Sequence, residues 1–161
     1  MSSTTQAGAT AKIKLAHKIA QLAFLTTTVF LILLNVLSNK DLSCIGTKIS
    51  FNKFNYCAEV ADDAEKRALG LSGRALLKDN QAKLFIFESE DHHGIWMKDM
   101  NFDIDIVWLD NNKQVVHIEK DVKPSSYPEV FYPKLKSKYV VELAAGAVSK
   151  NGLSIGDKFN W

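Results

Sequence analysis

Apolar residues occur in two regimes along this chain. From Ile19 to Leu37 they form a near-continuous run of Leu, Ile, Phe and Val, and no charge falls between Lys18 and Lys40. From Thr47 onward they come in short alternating bursts separated by polar turns. The first regime has no polar face. Its 21 uncharged residues make a helix roughly 32 Å long, enough for a hydrocarbon core of about 30 Å. Thr26, Thr27 and Thr28 weaken the run, but a helix satisfies their hydroxyls on its own carbonyls. The pattern predicts one N-terminal transmembrane helix or signal anchor over 19–37. A disordered cytoplasmic tail over 1–18 precedes it, and a short linker over 38–46 follows.

The second regime predicts one β-rich domain over 47–161. Thr47–Phe54 and Tyr56–Ala61 read as strands, the latter alternating Cys57, Glu59 and Ala61 against Tyr56, Ala58 and Val60. Asp62 caps a short helix, with Glu65 three residues on and Gly70 as its stop. Lys83–Glu88 is a strand buried on both faces, and Ser89–His93 is a polar turn. Ile95–Lys98 and Asp103–Leu109 are strands. Asp110–Lys113 is a hairpin turn into Gln114–Val122. Lys123–Pro133 holds all three prolines with Tyr127, Phe131 and Tyr132. Proline cannot donate to a ladder, so this segment is a stiff aromatic loop. Tyr139–Leu143 is a strand and Ala144–Lys150 a short helix, before a last short strand. The fold class expected is α+β: mostly antiparallel β, a compact barrel-like or sandwich domain with two short helices.

Charge orients the whole. Lys12, Lys14 and Lys18 are the only charges before Lys40, so 17 of the 20 basic residues and all 18 acidic ones follow, leaving that portion at −1. Basic residues stay cytoplasmic, which puts the N-terminus inside and the domain outside the cell membrane. Val36 and Ser38 are placed for signal-peptidase cleavage, but 18 residues ahead of the run favour an uncleaved single-pass anchor. A near-neutral domain lacks the basic footprint of nucleic-acid binding. Cys44 and Cys57 both follow the apolar run, and a pair in an oxidising compartment reads as a disulfide.

Several elements together resemble the domain of unknown function 192 family of bacteria and archaea, over about residues 55–159. They are Arg67-Ala68-Leu69-Gly70-Leu71 with Arg74, Leu84-Phe85-Ile86-Phe87, Trp96-Met97-Lys98-Asp99-Met100, Asp105-Ile106, Val141-Glu142-Leu143 with Gly146, and Gly156-Asp157. The family pattern has Asn where Asp99 stands, and commonly Pro-Leu where Asp103-Ile104 stands. The resemblance implies a compact β-rich α+β domain, often exported or anchored, and no established activity.

The stretch Gly94–Asp110 mixes aromatics, Lys98 and four Asp more densely than any other. Alternation sets Ile104, Ile106 and Trp108 on one face of a strand and Asp103, Asp105, Val107 and Leu109 on the other. A half-buried Asp105 needs a partner, for which Lys98 and Arg74 are candidates. Two readings follow. One is a buried ion pair locking the corner between strands. The other is a binding pocket with a polar cluster of Arg74, Trp96, Lys98, Asp99, Asp105 and Glu142. Tyr127, Phe131 and Tyr132 are a candidate partner loop. His92-His93 reads as a polar turn rather than a metal site, because adjacent His on a strand point opposite ways. No cofactor or metal is expected. The function expected is a non-catalytic module of the cell envelope, binding a ligand or partner (an envelope protein or glycan). A glycan hydrolase using Asp105 and Glu142 and a structural subunit docking on another envelope protein are the alternatives.

Overall fold

The computed structural model describes residues 17–18, 21–31 and 44–161, and the chain divides into two units, Met1–Ser43 and Cys44–Trp161. In the first unit, residues 17–18 and 21–31 are helical. The threonine hydroxyls donate back into that helix, Thr26 to the Ala23 carbonyl and Thr27 to the Phe24 carbonyl, both at 2.9 Å. Among the described residues no helix is long and apolar enough to cross a membrane. The expected segment 19–37 lies partly outside them, as do residues 1–16 and 38–43.

The second unit has eight strands: β1 (Thr47–Phe51), β2 (Phe54–Ala61), β3 (Gln81–Asp91), β4 (Ile95–Trp96), β5 (Ile104–Leu109), β6 (Val115–Val122), β7 (Val130–Phe131) and β8 (Ser137–Ala144). Helix α1 (Ala64–Leu69) joins β2 to β3, and α2 (Ala147–Asn151) follows β8. Six strands form one sheet of order β1-β2-β3-β8-β5-β6, and β4 pairs with β7 separately. Only the β2–β3 pairing is parallel. The class is α+β and antiparallel-rich. The barrel or sandwich expected from the strand count is not what forms. The large sheet stays open, with β1 and β6 as edges. The C-terminal segment meets its edges through isolated bridges, Asn160 to Ser50 and Lys158 to Gln114, and a few backbone bonds such as the Val115 amide to the Asp157 carbonyl, not through a strand-long ladder. Closure needs a continuous ladder, and β4–β7 is too small to act as a second sandwich layer.

Both faces of the sheet are covered, which is why the interior strand β5 is buried at every position. On one face Ile49, Leu84, Val107, Val141 and Leu143 pack against Val148, Leu153 and Phe159. On the other, Phe85, Ile104, Ile106, Trp108 and Val140 pack under Leu71, Leu77, Ile95 and Met97. The expected alternation of Asp103–Leu109 is the one observed.

Local differences have local causes. Asp63, not Asp62, caps α1: its Oδ1 accepts from the Lys66 amide at 2.8 Å, while Asp62 takes the Lys66 ammonium at 2.7 Å. Gly70 ends the helix at φ 51°, a left-handed geometry that glycine meets without strain. β3 continues to Asp91 through the expected polar turn, after an irregularity beyond Ile86. The proline-rich segment contains β7, whose Val130 and Phe131 pair with Trp96 and Ile95. Cys44 and Cys57 form the expected disulfide, with Cα atoms 5.3 Å apart.

Candidate functional site

Asp105 is fully buried, but neither Lys98 nor Arg74 is its partner. Its Oδ1 accepts from the Asp121 amide at 2.9 Å and its Oδ2 from the Val148 amide at 2.8 Å. Each amide is left over by the backbone. β6 carries an irregularity where Ile104 pairs with Val122 but Ile106 pairs with Glu119, and Asp121 sits there at φ 52°. Val148 lies in the first turn of α2, where amides lack an intrahelical acceptor, and the cap residue Gly146 has no side chain to supply one. Asp105 therefore joins a β-bulge to a helix start. The expected buried ion pair is replaced by two amide donors.

Glu142 lies on the opposite face. Cross-strand partners share a side, and Glu142 pairs with Ile106 and Lys83, whereas Asp105 pairs with Leu143. The pair Asp105 and Glu142, expected to serve a hydrolase, is thus divided by the sheet. Glu142 is 4% exposed, and among the described residues its Oε2 has no hydrogen-bond partner. Burial pushes its carboxyl up to about 8, while the Lys83 ammonium and the Arg74 guanidinium pull it back. It faces a cleft of about 50 Å³ whose walls include Arg67, Gly70, Trp96, Lys98 and Met100.

The cleft has built walls. The Arg67 guanidinium donates to the Ile86 carbonyl at 3.0 Å and lies 5.2 Å from the Phe87 ring centroid. Ser72 donates its hydroxyl to the Lys98 carbonyl at 2.8 Å, the Gly73 amide donates to the Asp99 carbonyl at 2.8 Å, and the Asn101 side chain donates to the Arg74 carbonyl at 2.8 Å. These bonds hold the corner after β4 against the turn after α1. Asp99 occupies that corner at φ 55°, a region where Asn and Asp are favoured among non-glycine residues. It shapes the cleft through its backbone. Behind Glu142, Lys83 and Arg74 both pair with Glu59, Lys83 at 2.6 Å. Burial and the Arg74 guanidinium push the Lys83 ammonium below its ordinary range.

Of the expected cluster, Trp96, Lys98 and Glu142 meet at the cleft, Arg74 stands behind it, Asp99 builds its corner, and Asp105 belongs to the other face. Trp96 is 47% exposed at the mouth, its indole edge-on to Tyr127 at 6.0 Å. Tyr132 and Tyr127 are exposed and Phe131 is half-buried. Trp108 is core, donating its indole N–H to the His93 carbonyl at 2.8 Å. His92 meets the Pro133 carbonyl, and His93 stacks on Phe87. Arg67, Lys83 and Glu59 were not singled out from sequence as site residues. For Lys83 a signal existed: a lysine on a strand buried on both faces needs a buried partner. A larger cavity of about 460 Å³ lies by Tyr56, Ala144 and Asn151, where Asn151 is paired with Tyr56 and Lys150 with Asp79.

An open mixed sheet with a small charged cleft defines a β-rich α+β domain. Residues 47–161 match the family DUF192, described as uncharacterized ACR, and the chain belongs to it. It is 31% identical to a UPF0127 protein of Thermococcus gammatolerans over 105 residues, covering 64% of this chain and 65% of that one. It is 32% identical to a UPF0127 protein of Pyrococcus horikoshii over 107 residues, covering 63% and 84%. The match thus spans slightly less than two thirds of the Thermococcus protein. The crystal structure of a protein of unknown function from Novosphingobium aromaticivorans superposes with a TM-score of 0.67 at 22% identity, covering 71% of this chain and 84% of that one. That likeness shows the fold.

Proposed function

We propose that this chain is a membrane-anchored, extracytoplasmic binding module of the cell envelope, and that the Glu142 cleft is its site. The observation that carries the reading is a buried carboxyl group with one unpartnered oxygen, facing a cleft whose mouth is a half-exposed tryptophan. A fold tolerates an unsatisfied buried oxygen at a cost of about 1–3 kcal/mol, and a ligand removes that cost. The disulfide supports an oxidising compartment, and the apolar run 19–37 with its three upstream lysines supports the anchor and its orientation. Asp105 and Glu142, the acids a glycan hydrolase would pair, occupy opposite faces, which favours binding over that chemistry. Exposed Tyr132 and Leu135, at 58% and 60%, favour an envelope protein as a second class of partner.

The test is retention of the purified full-length chain on solubilised envelope fractions. Wild type is expected to bind, and Trp96→Ala is expected to lose at least tenfold in retention. Retention unchanged by both Trp96→Ala and Glu142→Gln refutes the cleft. Protease shaving of intact cells that leaves the domain uncut refutes the outward orientation.

A further inference from the structure

We infer that the group taken by this cleft is a carboxylate, held between Arg67 and Lys98 and hydrogen-bonded by Glu142. The inference rests on the binding-module reading and specifies its ligand. Three observations carry it. The first is space. The cleft is about 50 Å³, against about 460 Å³ for the cavity by Tyr56, so it suits a small terminal group, and the remainder of the ligand lies outside, against Trp96.

The second is charge. Two cationic residues line the cleft, Arg67 and Lys98. Lys98 has no ion-pair partner among the described residues, and its ammonium stands 5.8 Å from the Trp96 ring centroid. Arg67 is pinned through one nitrogen and keeps its other guanidinium donors, which match a planar carboxylate. The charged groups around Glu142 are Lys83 from β3 and Arg74 from the turn after α1, both paired with Glu59 of β2, and Arg67 from α1 and Lys98 after β4, while β5 offers only Ile106. A cationic ligand would enter a surplus of positive charge. An anionic one balances it.

The third is the donor. Among the described residues the Glu142 oxygen has no partner, and as an acid it has one proton to give. A ligand carboxylate accepts that proton in a hydrogen bond. Once Glu142 ionises, the two carboxylates repel. Binding is therefore strong below the Glu142 titration near pH 8 and is lost above it.

The experiment is a ¹⁵N NMR titration of the full-length chain in detergent micelles, following the Trp96 indole and the Lys98 amide. The added compounds are sodium propionate, methylammonium chloride and inorganic phosphate. Propionate is expected to shift both signals at about pH 6, and its affinity is expected to fall tenfold or more at about pH 9.5. Lys98→Ala is expected to weaken it tenfold. Glu142→Gln, whose amide donates at every pH, is expected to lose the pH dependence. Two results overturn the carboxylate: phosphate binding more tightly than propionate, or methylammonium moving these signals while propionate does not. If propionate is silent while envelope retention still depends on Trp96, the carboxylate falls and the module stands. If both are silent, both fall.

Discussion

Removing the Asp105 carboxylate tests the central structural assignment. Asp105 accepts two hydrogen bonds from backbone amides, from Asp121 at 2.9 Å and Val148 at 2.8 Å, and is fully buried. Hydrogen bonds to a charged group contribute about 1.5–3 kcal/mol each, and a buried amide left unpaired costs about 1–3 kcal/mol. The two amides differ. Val148 is buried, whereas Asp121 is exposed and its amide can rehydrate. Asp105→Ala should therefore destabilise by about 3–5 kcal/mol. Asp105→Asn keeps one carbonyl oxygen, which can serve Val148 while its amide group turns toward Asp121, and should cost about 1–3 kcal/mol. The assay is urea unfolding of the full-length chain followed by tryptophan fluorescence, with amide hydrogen exchange at Val148 as a local readout. A double-mutant cycle with Lys98→Ala should show coupling near zero, since the two residues do not pair. An Asp105→Ala midpoint indistinguishable from wild type, or a coupling energy above about 1 kcal/mol with Lys98, would refute the assignment.

Glu142 should make the domain's stability fall with rising pH. Its folded value of about 8 exceeds the ordinary 4.5, so between these values the folded state holds a proton that the unfolded state releases. The contribution is complete below pH 4.5 and lost by about pH 8, with a slope up to about 1.4 kcal/mol per pH unit. Glu142→Gln should flatten that slope in urea midpoints measured across the window, and parallel curves would count against a buried acid. At Gly94 a Cβ would stand 2.6 Å from both Tyr132 Cε1 and Val130 Cγ1. Gly94→Ala should push β7 from β4, cost about 1–3 kcal/mol and shift the Trp96 indole signal; an unmoved signal contradicts the close approach. Reducing the Cys44–Cys57 bridge should cost about 3 kcal/mol in a thermal melt, and an intact mass showing two free thiols in the protein purified without reductant would remove the bridge.

The parts of this domain that were legible in sequence are those that period-two alternation decides. Alternation separated Ile104, Ile106 and Trp108 from Asp105, Val107 and Leu109, and the structure keeps that division. It also established that Asp105 needed a partner. It could not name one, because the partners are amides at a bulge and a helix start, and a backbone donor has no residue signature. Glu142 was ambiguous for another reason. Whether a polar residue in an apolar strand faces water depends on the neighbours of that strand. β8 lies between β3 and β5 under a covered face, an order set by long-range pairing. The Glu59–Lys83 pair depends on the parallel pairing of β2 with β3, again non-local. β7 has two residues, too few to alternate. Openness of the sheet depends on what meets β1 and β6, which strand counting does not address. The Trp96–Lys98 element stands out by its density of aromatics and charges and Glu142 as an acid in an apolar strand, the family resemblance includes both, and the structure places them on one cleft.

The disulfide has a mechanical consequence. β1 is an edge strand held by β2 alone within the large sheet, and a pull on the chain from its N-terminal side would ordinarily unzip such a strand one ladder bond at a time. Here the bridge lies ahead of it. Cys44 precedes β1 and is joined to Cys57, which lies opposite Lys48 on β2. Tension arriving at Cys44 passes through sulfur into β2, and the residues between the two cysteines bear none of it. β2 is laced on both sides, by β1 and by β3, so the load is resisted in shear across two ladders. A domain tethered through its N-terminal side would thus be gripped by an interior strand, with its weakest edge outside the path of force.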